Sequence, residues 1–133
     1  MVNQLAQKYS PFKANRVGGA SFTIGSESGD VINVVVQLED GNGDALAERC
    51  AVTMYWSSSS TGDTIAVNPT SITIGTDGVI IQTHSVAQSF TAVSEADGDI
   101  DIDLEYTGLP YTYYLVVILP GGPLVISSAI SFS

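Results

Sequence analysis

The chain predicts an antiparallel β-sandwich or barrel, and three observations carry that reading. Apolar residues recur with a period of two in several short runs. Turn-forming residues separate those runs at roughly 8 to 12 residue spacing, and helical periodicity is absent throughout. A chain of 133 residues is the size of one domain, long enough to withdraw roughly two-thirds of its unfolded-chain surface from water without disulfides or metal.

Residues 1–19 have neither periodicity, and Pro11, Gly18 and Gly19 interrupt them. Leu5, Tyr9, Phe12 and Val17 are spaced irregularly among basic and amide side chains, which suits an arm lying across another surface ahead of a domain spanning 20–133. Residues 21–24 are a brief strand. Residues 30–39 are a strong one, with Ile32, Val34, Val36 and Leu38 on one face and Val31, Asn33, Val35 and Gln37 on the other. Asp40-Gly-Asn-Gly-Asp44 is a hairpin-type turn rich in residues that tolerate positive φ. Residues 50–57 place Val52, Met54 and Trp56 together, and a polar loop begins at Ser57 and ends at Gly62. Short strands are expected over 64–67, 71–74 and 79–83, the last two joined by Gly75-Thr-Asp-Gly78. After the turn Glu95-Ala-Asp-Gly98, residues 99–106 alternate cleanly, with Ile100, Ile102, Leu104 and Tyr106 inward and Asp99, Asp101, Asp103 and Glu105 outward. Thr107-Gly-Leu-Pro110 and Pro120-Gly-Gly-Pro123 bracket a strand over 111–119, and residues 124–132 close the chain.

The strand over 111–119 is apolar on both faces. Tyr111, Tyr113, Leu115, Val117 and Leu119 line one face, and Thr112, Tyr114, Val116 and Ile118 line the other. A half-solvated sheet would leave the second row exposed, so the sequence predicts a cover. The arm or a neighbouring subunit is the expected cover. Tyr114, Val116 and Ile118 are therefore candidate interface residues, and a homo-oligomer is expected.

Charge is one-sided. Residues 1–19 carry Lys8, Lys13 and Arg16 and no acid, a charge of +3, whereas residues 20–133 carry all 14 acids and only Arg49, a charge of −13. An acidic body argues against nucleic acid as its partner, because binding a polyphosphate is driven by cationic neutralisation and counterion release. No run approaches the roughly 18 apolar residues of a membrane span, and the first residues lack the apolar core of a signal peptide. Synthesis and folding in a cytoplasm and no membrane partner are the expectations. Cys50 is the only cysteine, so an internal disulfide is excluded and a buried, inert thiol is expected.

Catalytic chemistry finds little support. Any Ser-His-acid relay must use His84, the only histidine, and Gln82-Thr-His-Ser85 contains no nucleophile motif. The row Asp99, Asp101, Asp103, Glu105 is regular, whereas acid catalysis needs two carboxyls in different environments within a cleft. Same-face neighbours on a strand stand about 6.5–7 Å apart and repel by only roughly 0.6 kcal/mol per pair in water. Each inward Ile or Leu contributes about 1.5–3 kcal/mol, so burial decides the strand and the row reads first as a solvated face. Its functional alternatives are an acidic docking stripe for a basic partner and a divalent-cation site. Asp40-Gly-Asn-Gly-Asp44 starts like a calcium loop, but Ala45 and Ala51 stand where an EF-hand needs Gly and Glu. Tyr106, Tyr111, Tyr113 and Tyr114 could form a sugar-stacking platform, although such rings are more often core or interface material. No catalytic residue, metal or cofactor is expected.

Trp56 in the third strand, with Tyr113 and Leu115 in the Tyr-x-Cys position of a penultimate strand, resembles an immunoglobulin-like sandwich. Leu115 stands for the second cysteine, Val34 or Val36 for the first, and Tyr113 for a tyrosine corner. Val34-x-Val-x-Leu-x-Asp-x-Asn-Gly43 likewise resembles the second strand of cysteine-free bacterial and phage versions. With the basic arm and acidic body, the chain is similar to the small cement or decoration proteins of bacteriophage heads. That resemblance implies a non-enzymatic virion structural protein, synthesised in the host cytoplasm, that sits on the capsid surface and stabilises it. The major capsid protein is the implied partner, contacted through Lys8, Tyr9, Phe12, Lys13 and Arg16. A glycan-binding or host-adhesion module of a phage tail or cell surface is the alternative.

Overall fold

The computed structural model describes residues 17–133, which form two antiparallel sheets and no helix. Its strands are β1 (Val17–Ile24), β2 (Val31–Asp40), β3 (Ala51–Ser57), β4 (Ser71–Ile74), β5 (Val79–Ser85), β6 (Ser89–Val93), β7 (Asp99–Glu105), β8 (Tyr111–Ile118), β9 (Leu124–Ile126) and β10 (Ile130–Phe132). One sheet has the order β1-β2-β7-β4; the other runs β10-β8-β3-β6-β5, with β9 also paired to β8.

The sheets pack through the residues that alternation marks as inward. Ile32, Val34, Val36 and Leu38 of β2 and Ile100, Ile102 and Leu104 of β7 are buried from one side. Val52, Met54 and Trp56 of β3, Phe90 and Ala92 of β6, and Tyr113, Leu115 and Val117 of β8 are buried from the other. Ladder registers preserve this choice: Val34 lies opposite Ile102 and Trp56 opposite Leu115, so each apolar residue meets an apolar neighbour on the same face.

This architecture is consistent with an immunoglobulin-like domain. The first sheet has the A-B-E-D order of such domains, and β10, β8 and β3 occupy the G, F and C positions. The apolar pin holds as expected, with Val34, Val36, Trp56 and Leu115 all fully buried. Two features depart from the pattern. The β5–β6 hairpin extends the second sheet beyond β3 but is entered from β4 of the first sheet. Tyr113 does not form a tyrosine corner to the backbone; its hydroxyl donates to Asn68 Oδ1 at 3.1 Å.

Four strand boundaries differ from the sequence expectation. β1 starts at Val17, so the last three residues assigned to the arm lie in the sheet, with Val17 opposite Asp40. Residues 64–67 make only an isolated bridge, Ser57 to Ile65, because the sheet continues from β3 to β6 instead. β6 had no place in the sequence reading: its inward residues are only Phe90 and Ala92, set among Ser and Thr. The closing strand is split at Ser127. There the Ser127 N–H donates to Leu115 O at 2.9 Å, and the Ser127 hydroxyl accepts the Leu115 N–H at 2.9 Å. The side chain thus fills one ladder position and bends the strand.

Candidate functional site

The outer face of β8 is covered at Val116 by a loop and strand of the described chain, where the arm or a neighbouring subunit was the expected cover. Val116 is 0% exposed. Gly62 approaches it so closely that a Cβ there would stand 3.3 Å from Val116 Cγ2 and 3.2 Å from Ile126 Cδ1. Tyr55 fixes the loop by donating its hydroxyl to Gly62 O at 2.6 Å. Tyr114 and Ile118 are half-buried. Val116 is therefore core rather than interface, while Tyr114 and Ile118 keep partly open side chains on the same face. Lys8, Tyr9, Phe12, Lys13 and Arg16 lie outside the described residues.

The tyrosines also turn inward. Tyr106 packs on Tyr111, Tyr113 and Phe132 with centroid distances of 5.8, 5.5 and 5.6 Å, and Trp56 meets Tyr113 edge-on at 6.5 Å. Tyr113 is fully buried, and burial pushes its phenol well above the ordinary value. This cluster of edge-on and tilted rings fills the end of the sandwich around the buried Tyr113, with Tyr106 and Tyr111 half-buried. Tyr114 stands on the opposite face of β8 from Tyr113.

The acidic row is not uniformly solvated. Asp101 is 9% exposed, because residues 75–77 fold over it from the end of β4. Its carboxylate accepts the Thr76 N–H at 2.9 Å, the Thr76 hydroxyl at 2.9 Å and the Asn33 amide. Burial alone would push this carboxyl up, but those bonds outweigh it and hold it below the ordinary 3.8. Asn33 Nδ2 also donates to Asp103 Oδ1 at 2.9 Å and so bridges the two acids, while Glu105 accepts the Ser71 hydroxyl at 3.2 Å. Asp99 behaves oppositely: burial first, then the nearby charges of Asp97 and Asp77, raise it. The row is thus a set of carboxylates in unlike surroundings, with Asp101 built into the fold.

His84 lies on the exposed outer face of the second sheet, its Nε2 2.7 Å from Thr91 Oγ1, which is 2.9 Å from Thr53 Oγ1. Asp40 caps its own turn, accepting the Asn42 and Asp44 N–H groups at 2.8 and 3.1 Å. The turn returns Leu46 alongside Leu38, whose carbonyl accepts the Leu46 N–H at 2.9 Å. Among the described residues, no group of three His, Cys, Asp or Glu side chains is placed to hold a metal ion.

Topology gathers eight of the 14 acids at one pole, whereas Asp30 and Glu105 lie at the other end of the same strands. Val17, Asp40 and Asp99 begin or end neighbouring strands at that pole, since Val17 pairs with Asp40 and Gln37 with Asp99. Glu39 and Asp44 belong to the turn beside them. Asp97 is joined there through its carbonyl to Gln37 Nε2 at 2.8 Å, and Asp77 through its carbonyl to the Asp101 N–H at 2.8 Å. Glu95 accepts the Gly78 N–H at 2.9 Å and meets Arg49 at 3.4 Å, the only salt bridge among the described residues. Glu48 joins the group through a cleft of about 330 Å³ that it lines with Val17, Cys50, Pro120 and Gly121. Burial, then the charge of Glu48, raises the Cys50 thiol. This pole was missed in the sequence because its acids come from three separate connections and the strand ends beside them.

A second cleft, of about 320 Å³, opens at the other side of the sandwich between β4 and the β5–β6 hairpin, lined in part by Ile72, Ile80, Val86 and Phe90. Among the described residues β5 is the free edge there, without Lys, Arg, Asp or Glu along its length, and Val79 and Ile81 are exposed by 52% and 57%. Comparison with protein-family models, curated proteins and solved structures finds no match to this chain.

Proposed function

We propose that the protein is a non-enzymatic virion structural protein that binds the assembled phage head as a decoration or cement protein. The observation that carries this reading is the division of charge. A strand-built body of −13, with eight of its 14 acids at one pole, follows a +3 segment that holds Lys8, Lys13 and Arg16. Such a molecule is suited to docking by surface and charge complementarity, with salt-sensitive steering. The buried carboxylate of Asp101, the turn-capping role of Asp40 and the hydroxyl partner of His84 all spend polar groups on the fold. In this reading the basic segment contacts the major capsid protein or an adjacent copy on the capsid surface, and Val116 of β8, being core, has no part in it.

Cosedimentation with undecorated heads tests the proposal. The full chain is expected to pellet with heads at low salt and to be released as salt rises. A variant lacking residues 1–16, which leaves β1 whole, is expected to lose most of that binding. Full-chain protein that stays in the supernatant at every salt concentration overturns the head reading. Equal binding of both forms removes the basic segment from it.

A further inference from the structure

The turn Asp40-Gly-Asn-Gly-Asp44 holds a reactive pair at its centre. Of the five asparagines in the chain, Asn42 alone is followed by glycine. An asparagine amide is chemically labile because the backbone nitrogen of the next residue can attack it, and a side chain on that residue obstructs the approach. The fold sharpens the contrast among the three asparagines it describes. Asn33 gives its Nδ2 to Asp101 and, at 2.9 Å, to Asp103, and the Val34 that follows it is fully buried in the β2–β7 ladder. Asn68 accepts the Tyr113 hydroxyl at 3.1 Å and is followed by Pro69, which has no N–H to give up. Asn42 and Gly43 are both exposed, and a Cβ at Gly43 would meet nothing within 4 Å. Among the described residues the Asn42 side-chain amide has no hydrogen-bond partner; only its backbone N–H is engaged, by Asp40.

One bond restrains the reaction: the Gly43 N–H donates to Asp40 O at 3.1 Å. It lies on an exposed turn, where local opening costs far less than global unfolding, so the nitrogen is released without loss of the fold. The Gly43 nitrogen then forms a bond to Cγ of Asn42 and closes a succinimide ring. The Cγ–Nδ2 bond breaks, and the departing NH2 group takes up the proton from the Gly43 N–H and leaves as ammonia. Water reopens the ring, its hydroxyl going to a carbonyl carbon and its proton to the ring nitrogen. Opening at Cγ leaves aspartate at position 42. Opening at the α-carbonyl leaves isoaspartate, whose backbone runs through Cγ and is one methylene longer. The net change is amide plus water to carboxylic acid plus ammonia, with nothing oxidised or reduced.

We infer that Asn42 is a self-modification site, at which attack by the Gly43 nitrogen converts the side-chain amide to a carboxylate and the isoaspartyl product loosens the turn that seats Leu46. The Asp40 N–H closes this turn on Asp44 O at 2.8 Å, and the Asp40 carboxylate accepts the N–H groups of Asn42 and Asp44 at 2.8 and 3.1 Å. Beyond it Leu46, 1% exposed, donates its N–H to Leu38 O at 2.9 Å. A methylene added at position 42 falls between these bonds and puts them out of register. The aspartyl product keeps the backbone length and adds one negative charge between Asp40 and Asp44. The inference stands apart from the head-binding proposal, since it needs only this chain and water.

The full chain is to be incubated at pH 8.5 and mapped by peptide mass at intervals. A gain of about one dalton is expected on the peptide holding Asn42, ahead of those holding Asn33 and Asn68. Asn42→Gln, whose longer side chain closes its ring far more slowly, should keep the parent mass there. The isoaspartyl fraction, separated by anion exchange and identified with an isoaspartate-specific methyltransferase, is then unfolded in urea. Its midpoint is expected to lie roughly 0.5 M below that of fresh protein, as the loss of a net hydrogen bond requires. Freshly prepared Asn42→Asp, which adds the charge without the methylene, should keep the parent midpoint. An Asn42 amide lost no faster than those of Asn33 and Asn68 overturns the site. An isoaspartyl fraction with the parent midpoint overturns its effect on the turn, and an equal drop in Asn42→Asp overturns backbone lengthening as the cause.

Discussion

At the scale of single residues, the carboxylate of Asp101 shows how one member of a repetitive row becomes structural. In the sequence Asp99, Asp101, Asp103 and Glu105 are equivalent outward positions, and nothing local distinguishes them. The difference is tertiary: residues 75–77 close over Asp101, and a Cβ at Gly75 would stand 2.5 Å from Asp101 Oδ2, so this approach requires glycine. Asp101→Ala leaves the Thr76 N–H without its acceptor and takes one hydrogen bond from the Asn33 amide, and is expected to lower the unfolding free energy by about 2–3 kcal/mol in urea titrations. Gly75→Ala, which forces the loop off the carboxylate, should cost about 1–3 kcal/mol. The two acids also set opposite pH dependences. Asp101 is held below 3.8, so its contribution is fully present above its unfolded value and is lost as pH falls through the lower folded value. Asp99 is raised above 3.8, so its penalty is present at neutral pH and is relieved as pH falls through the raised value. Acidification from pH 7 is therefore expected to raise stability slightly before lowering it. Asp99→Asn should abolish the initial rise, and Asp101→Asn should flatten the later fall. A curve for Asp99→Asn that still rises on acidification would show that another group is responsible.

At the scale of elements, the strands legible in the sequence were those whose alternation is strong on both sides of the ladder. β2, β7 and β8 each place several branched or aromatic residues on one face, and each lies inside a sheet with partners on both sides. β6 was not legible because Phe90 and Ala92 are its only inward residues, and residues 64–67 misled because Ile65 and Val67 alternate without a partner strand. β8 shows the limit most clearly. Its apolar character on both faces was readable, but the cover turned out to be a polar loop whose contact with Val116 depends on a single glycine. Gly62 has φ +77°, so a side chain there is strained as well as crowded. Gly62→Val is expected to destabilise the monomer by about 1–3 kcal/mol and to raise dye binding to newly exposed apolar surface. The decisive variant is Val116→Asp. A residue enclosed by Gly62 and Ile126 has no water for a carboxylate, so this change should cost about 3 kcal/mol or more and unfold the monomer. A stable, folded Val116→Asp protein with altered sedimentation would instead restore β8 as an interface.

At the scale of the whole molecule, net charge keeps apart surfaces that could otherwise join. The edge of β5 carries neither Lys, Glu nor Pro, the residues that usually protect a free edge, and Val79, Ile81 and the 82%-exposed Val86 lie along it beside an apolar cleft. At pH 7 a formal charge of −10 opposes edge-to-edge approach. That opposition vanishes near the sequence pI of about 4.1, while the unpaired N–H and C=O groups of β5 remain. The protein is therefore expected to self-associate as pH approaches 4, seen as rising light scattering at constant concentration. Ile81→Lys places a charge on the exposed bulge of the edge, where its effect on monomer stability should stay within about 0.5 kcal/mol. It should suppress that association, whereas a control at the opposite side of the sandwich, Leu124→Lys on β9, should leave it intact. Equal scattering by the parent and Ile81→Lys would place the association elsewhere than β5, and suppression by both would make it a matter of net charge alone.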